Sequence, residues 1–370
     1  MPPHRYVLLN LIRKLDQLFD GLRFRMIRVA GRTKPIQVKI ATYRGFGRAD
    51  CFFLQGRVLI RKSIRNKPFQ TAWQQLVDSY HRLHTDEIPR ARLRIMLDDR
   101  EFETDTDQEG YFTLYQTISP PLESSADPWK SVKIELLETP WGPLASFAST
   151  KILIPPSGAR FGVITDLDDT IIHTGVTSPL KWEVLYNTLF KSAARRKVYE
   201  EVAAFFRAIK AGPESNGFNP IFYVSNSPRN IHDLVKKYLR LHKLPKGPLL
   251  LRDIGIPYKL HTRDYSHKKE SILRILETFP ELPFILVGDS GEKDPYLYYE
   301  IAERYPGRIL AILIRDVQHL RRLRRLKPLL EKARTPAIEL FETYQQAALL
   351  ASAHGFLDLA YFHQLCVEGK

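Results

Sequence analysis

Three carboxylates close one apolar run: Arg160-Phe161-Gly162-Val163-Ile164-Thr165 leads straight into Asp166, Asp168 and Asp169. A continuous apolar run of this length reads as a strand buried on both faces, as in a parallel sheet, and ligands of open α/β sheets gather at the carboxyl ends of such strands. Asp166 and Asp168, one residue apart on an emerging loop, repel each other unless a cation or a shared proton offsets them. A hard, oxygen-seeking ion such as Mg²⁺ suits them, and a solvated acidic loop is the plain alternative. Three other places offer groups with a use at one phosphate. Ser225, Asn226 and Ser227 follow the apolar run Ile221–Val224, His267-Lys268-Lys269 opens a helical stretch, and Gly288, Asp289 and Asp294 follow Phe284–Val287. Singly these read as a cap or turn, solvated lysines and a tight turn. Together, in that order, they supply the parts of phosphoryl transfer through a carboxylate: a nucleophile, a second carboxylate for the proton, a metal, a hydroxyl with amides, and a cation.

The elements that would carry these residues alternate. Short apolar runs at Phe161–Thr165, Ile221–Val224, Leu249–Leu251, Phe284–Val287 and Ile309–Ile314 are separated by helical stretches such as Val198–Ile209, Ile231–Leu241, Ser271–Phe279 and Tyr296–Arg304, the signature of a doubly wound α/β sheet. Pro155-Pro156-Ser157-Gly158 marks a boundary before it. Upstream, period-two runs at Ile36–Ile40, Cys51–Leu54, Arg57–Ile60, Ala91–Leu97, Tyr111–Tyr115, Val132–Leu136 and Ile152–Ile154 predict a β-sandwich-like region, interrupted by a helical segment over 71–83. Thr106-Asp107-x-x-Gly110-Tyr111-Phe112 resembles small prealbumin-like sandwich modules. Residues 6–24 space Leu8, Leu11, Ile12, Leu15, Leu18, Phe19 and Leu22 as an amphipathic helix that packs on the protein's own core or lies on a membrane. Ala337–Leu350 and Leu357–Leu365 read as closing helices. The expected division is 1–35, an amphipathic helix and basic linker; 36–156, the β-rich region; 157–335, the α/β domain; and 336–370, the C-terminal helices.

With 370 residues, 44% hydrophobic and 26% charged, the chain has room for two or three soluble globular domains. Its two cysteines, Cys51 and Cys366, have neither metal-ligand spacing nor the density of a disulfide framework, so a reducing compartment is expected. No apolar run is long enough to span a membrane and no signal-peptide pattern opens the chain. The net charge of +15 is concentrated: residues 1–40 carry nine Lys/Arg against Asp16 and Asp20, and residues 315–334 carry eight against Asp316 and Glu331. Such patches favour polyanions, an anionic lipid surface or nucleic acid, or are simply solvated.

The Asp-x-Asp-x-Thr at 166–170, Ser225, Lys268 and Gly-Asp-x4-Asp at 288–294 resemble the four motifs of haloacid-dehalogenase-like phosphatases. The fuller strings at 166–171, 223–228, 244–253 and 286–295 resemble the catalytic domain of the actin-patch-associated phosphatidate phosphatases and their bacterial relatives. The resemblance covers roughly 160–320 and implies a Rossmann-like haloacid-dehalogenase-type sheet with a minimal cap. It implies that Asp166 attacks phosphorus, that Asp168 protonates the leaving alcohol and then activates water, and that Asp166, the backbone carbonyl of Asp168 and Asp289 hold Mg²⁺. A neighbouring carboxylate would raise the pKa of Asp168 and keep it protonated for the attack. Thr170, Ser225 and Asn226 would line the phosphate subsite. Lys268 would offset charge and pair with Asp294, with Lys269 the alternative one residue away. Arg229 departs from the pattern, standing where an aromatic residue is expected after Ser-Asn-Ser-Pro.

Only 58 residues separate Asp166 from Ser225, and Val198–Ile209 must supply the crossover helix. Residues 171–197 then allow a flap but no cap domain, which suits a phosphate presented on a membrane; Trp182, Leu185, Tyr186, Leu189 and Phe190 would lip the pocket or pack in the core. The expectation is a Mg²⁺-dependent phosphatidate phosphatase of the cytoplasm that meets an anionic membrane surface peripherally. The alternatives are the same chemistry on a nucleic-acid end or a phosphoprotein, and a non-catalytic membrane-binding scaffold.

Overall fold

The computed structural model describes residues 37–60, 87–167, 193–252, 266–317, 320–333 and 336–368, save the single positions 124, 126, 143 and 292. The helices expected over 6–24 and 71–83, and the insert residues 171–192, lie outside the described residues.

Period-two patterning becomes one mainly antiparallel sheet of eight strands: β1 (Val38–Thr42), β2 (Gly45–Arg48), β3 (Cys51–Ile60), β4 (Arg92–Leu97), β5 (Arg100–Asp105), β6 (Tyr111–Thr117), β7 (Trp129–Glu138) and β8 (Phe147–Leu153). Their order is β1-β3-β2-β8-β7-β4-β5, with β6 on the other edge of β3. Hydrogen bonds join all eight, through a short parallel pairing of β2 with β8, and the sheet curves round its own core. Val132, Ile134 and Leu136 of β7 alternate inward and meet Phe52, Leu54 and Val58 of β3 there. The two short strands expected at 51–54 and 57–60 are one strand, because Gly56 continues the pairing with both Thr42 and Phe112.

The second sheet is parallel throughout, in the order β11-β10-β9-β12-β13-β14. Along the chain it runs β9 (Gly162–Asp166), α1 (Ala193–Ala211), β10 (Ile221–Pro228), α2 (His232–Leu241), β11 (Leu249–Arg252), α3 (Ser266–Thr278), β12 (Phe284–Asp289), α4 (Asp294–Arg304), β13 (Ile309–Arg315), α5 (Leu320–Lys332) and β14 (Ile338–Phe341), then α6 (Tyr344–Ala353) and α7 (Leu359–Glu368). β9 and β12 are buried at every position, which is why they read as unbroken apolar runs. Helices cover both faces: Phe205 of α1, Val235 of α2, Ala348 of α6 and Phe362 of α7 share one core, and Ile275 of α3 and Leu297 of α4 the other. This is the doubly wound order.

One expectation is corrected. Residues 337–350 do not form a single helix; Ile338–Phe341 is the sixth parallel strand, paired with β13, so residues past 335 contribute to the sheet itself. The alternating Ile-Glu-Leu-Phe fits a half-buried strand. The helix starts only at Tyr344, where the Thr343 hydroxyl accepts from the Gln346 amide and the Gln346 side chain accepts from the Thr343 amide, a reciprocal N-terminal cap.

The two sheets meet through aromatic packing. The Phe46 ring of β2 lies 5.5 Å from Phe222 and 6.1 Å from Phe279, and the Arg274 guanidinium of α3 lies 4.6 Å over the Phe53 ring.

Candidate active site

The chain leaves β9 towards β10 and leaves β12 towards β13, in opposite directions along the sheet, so the gap beyond these two neighbours is its switch point. Their pairing ends at Thr165 with Val287. Asp166 and Asp289, the last residues of β9 and β12, stand at this gap. Asp294 reaches it from the first turn of α4, where the helix dipole favours a carboxylate. All three are at most 1% exposed, and one carboxylate oxygen of each lies within 4.8 Å of the others.

Lys268 enters from the first turn of α3, a position the helix dipole disfavours for a cation. What offsets that is close contact with acid: Nζ is 2.9 Å from Asp166 Oδ1 and donates to Asp294 Oδ1 at 2.8 Å, with the lysine only 3% exposed. Lys269 turns away and pairs with Glu300. One residue along a helix is a rotation of about 100°, enough to separate the two roles.

Three buried carboxylates crowded round the Lys268 ammonium repel one another in an apolar surrounding, which favours a cation placed among them. The donor set is oxygen only, with neither Cys nor His, which fits a hard divalent cation such as Mg²⁺ rather than zinc or copper. Asp289 is steered by its own loop. Its Oδ1 accepts from the Gly291 amide, the Ser290 amide donates to Arg315 O at 2.8 Å, and the Ser290 hydroxyl accepts from Val317 N at 3.1 Å.

Gly288 is required by close approach. A Cβ there would stand 2.7 Å from Asp294 Oδ2 and 2.8 Å from the Tyr298 ring. Gly288→Ala is therefore expected to cost about 1–3 kcal/mol of stability, read as a lower denaturant midpoint at constant m-value, and to displace Asp294 from Lys268.

Register places Ser225 one residue past Val224, the partner of Asp166 in β10. It is fully buried, and its hydroxyl accepts from the Ser227 amide at 2.9 Å, which tightens the turn; Asn226 follows it, half-buried. Asp168, Asp169 and Thr170 lie outside the described residues.

Sequence reasoning did not single out Tyr298, whose hydroxyl donates to Val287 O at 3.3 Å behind the acids. Burial, then the charge of Asp294, holds its pKa well above that of an ordinary phenol, so it is a neutral wall. Its spacing of four residues from Asp294 on α4 was the available signal. Arg229, expected to be aromatic, donates through Nε to Leu251 O at 3.0 Å and lies 5.1 Å over the Tyr111 ring, which Arg57 also approaches at 4.3 Å. The arginine so ties the turn after Ser225 to the curved sheet. Burial, then Arg229, pushes the His267 imidazole down to about 4, so the neighbour of Lys268 adds no charge at neutral pH.

A doubly wound α/β sheet with a buried carboxylate–lysine cluster at its switch point is the class that fold and site define. Residues 161–316 match the family described as phosphatidate phosphatase APP1, catalytic domain. Over 201 residues, 54% of the chain, it is 31% identical to phosphatidate phosphatase APP1 of Saccharomyces cerevisiae, and over 222 residues, 59% of the chain, it is 28% identical to an uncharacterised protein of Schizosaccharomyces pombe. The aligned regions span only 30% and 35% of those curated relatives. Among solved structures, a carbohydrate acetylesterase from Xanthomonas citri overlaps with a TM-score of 0.29 at 10% identity, over 81% of this chain and 66% of that one, too low to carry an argument.

Proposed function

We propose that this chain is a Mg²⁺-dependent phosphatidate phosphatase that releases diacylglycerol and phosphate through a phospho-aspartate at Asp166, on a haloacid-dehalogenase-type fold. The observation that carries the reading is Lys268 Nζ held between Asp166 and Asp294, at 2.9 and 2.8 Å, inside the segment that matches the APP1 catalytic domain.

In this reading Asp166 attacks phosphorus with a carboxylate oxygen while the ester P–O bond breaks, and Asp168 gives its proton to the leaving alkoxide. Asp168 then takes a proton from water as that water attacks phosphorus. The P–O bond to Asp166 breaks, and inorganic phosphate leaves. Lys268 holds Asp166 in line and offsets the charge on the phosphoryl oxygens, and Asp294 positions the lysine. Ser225, Asn226 and Thr170 hold the phosphoryl group. Asp166, Asp289 and the backbone carbonyl of Asp168 would hold Mg²⁺, which when bound supplies the charge neutralisation that lets an anionic phosphate approach an anionic nucleophile.

The reading extends to organisation and place. Residues 157–335, with β14 and the helices after it, form the catalytic unit, and 36–156 a unit that positions it. The chain works from the cytoplasm at an anionic membrane surface reached through its basic stretches. No helix among the described residues is long and apolar enough to cross a membrane.

Phosphate release from phosphatidate in mixed micelles, measured with Mg²⁺ and with chelator beside a soluble aryl phosphate, tests this. Mg²⁺-dependent turnover of the lipid, faster than of the aryl ester, is the expected result. Hydrolysis of the aryl ester alone would remove the lipid assignment and keep the chemistry.

A further inference from the structure

A second cluster of charge lies away from the acids. Between the curved sheet and helix α2 is a cavity of about 240 Å³ whose wall, among the described residues, carries Arg44, Lys151, Lys236 and Lys246 and no carboxylate. Arg44 leaves the end of β1, Lys151 stands on β8, Lys236 on α2, and Lys246 in the link that enters β11, so both sheets contribute cations. Lys246 is at the amino end of the parallel sheet, whereas Asp166 and Asp289 are at its carboxyl end. This is not the site described above.

Like charges are not gathered in a partly enclosed space without a cost. Lys151 is 3.8 Å from Asp127, but Arg44, Lys236 and Lys246 form no ion pair with any described carboxylate. The acid closest to Lys236 along its helix, Asp233, is engaged by Lys39 at 3.2 Å. The Arg44 guanidinium lies 5.5 Å from the Trp129 ring centroid, which orients it without neutralising it. Burial first, and then Arg44, depresses the pKa of Lys236, and burial depresses that of Arg44 itself, so the protein holds these charges against their preference for water.

We propose that this cavity is a non-catalytic anion site that takes a phosphoryl group, from either an anionic lipid headgroup or a soluble phosphate. An Arg fork beside two or three Lys point charges matches the planar and tetrahedral oxygens of phosphate. The volume, below the usual range for drug-sized ligands, accommodates a phosphoryl or pyrophosphoryl group. Because its donors come from both sheets, the bound anion bridges them and stabilises their docking.

The experiment uses the full chain in chelator, where the catalytic carboxylates, without metal, repel anions. Inorganic pyrophosphate at constant ionic strength is expected to raise the melting temperature and to bind measurably by calorimetry. The Lys236→Gln/Lys246→Gln double variant should lose the thermal shift and bind about tenfold or more weakly. The same variant without ligand should melt no lower than the wild type, since it relieves repulsion, and that keeps misfolding apart from loss of binding. Cosedimentation with phosphatidylcholine vesicles containing phosphatidylinositol phosphate separates the sources. Vesicle binding lost in the variant and competed by pyrophosphate assigns the site to a headgroup; vesicle binding unchanged, with pyrophosphate binding lost, assigns it to a soluble phosphate. No pyrophosphate binding to the wild type, or equal affinity in both proteins, overturns the proposal.

Discussion

Asp166→Asn is expected to lower phosphate release by about 10⁴-fold or more, the scale seen when a covalent nucleophile is removed. Its folded stability should not fall with it. Asp166 is one of three buried carboxylates clustered at Lys268, so replacing it with a neutral amide relieves repulsion between acids while Lys268 keeps its 2.8 Å contact to Asp294. In chelator the melting temperature should therefore equal or exceed that of the wild type. Mg²⁺ should raise the melting temperature of the wild type more than that of the variant, because a metal that binds only the folded state stabilises it in proportion to its affinity. A variant that keeps its turnover would remove Asp166 from the reaction. One that loses turnover together with its fold would say nothing special about this carboxylate, and the thermal scan separates the two.

Lys268→Met should have the opposite stability signature. Removing Lys268 takes from Asp166 and Asp294 the ammonium that both contact, and breaking such a buried pair from one side costs about 3–5 kcal/mol. The loss should be largest in chelator and should shrink on adding Mg²⁺, which supplies replacement charge. Activity should remain about 10²- to 10³-fold down even at saturating Mg²⁺, since the metal does not restore a donor aimed at the phosphoryl oxygens. Lys269→Met is the control. Its pair with Glu300 is solvent-exposed, and such pairs are worth less than about 1 kcal/mol, so neither activity nor midpoint should move appreciably. Equal effects at 268 and 269 would contradict the geometry.

The candidate site was legible in the sequence to the extent that strand ends are. β9, β10 and β12 are buried on both faces over their apolar residues, and such strands show as unbroken apolar runs, so the polar residues that close them stood out as Asp166, Ser225 and Asp289. Strands without that property were harder to see. β5 alternates half-buried and exposed side chains, Arg-Glu-Phe-Glu-Thr-Asp, and is held by its pairing with β4. β14 is only four residues long and sits before a helix with which its apolar residues were merged.

The sequence by itself determined which residues are candidates to carry chemistry and on what kind of element each lies, because side-chain periodicity is a local consequence of which face is buried. Only the tertiary structure decided adjacency. It set β12 beside β9, bringing Asp289 to Asp166 across more than a hundred residues of chain, and it chose between Lys268 and Lys269 by the rotation of one helix against the sheet. It also assembled the cationic cavity from Arg44, Lys151, Lys236 and Lys246, four positions with no common motif. The physical reason is that long-range neighbours are selected by which apolar faces cover one another when the sheets close, and no window of sequence contains both faces.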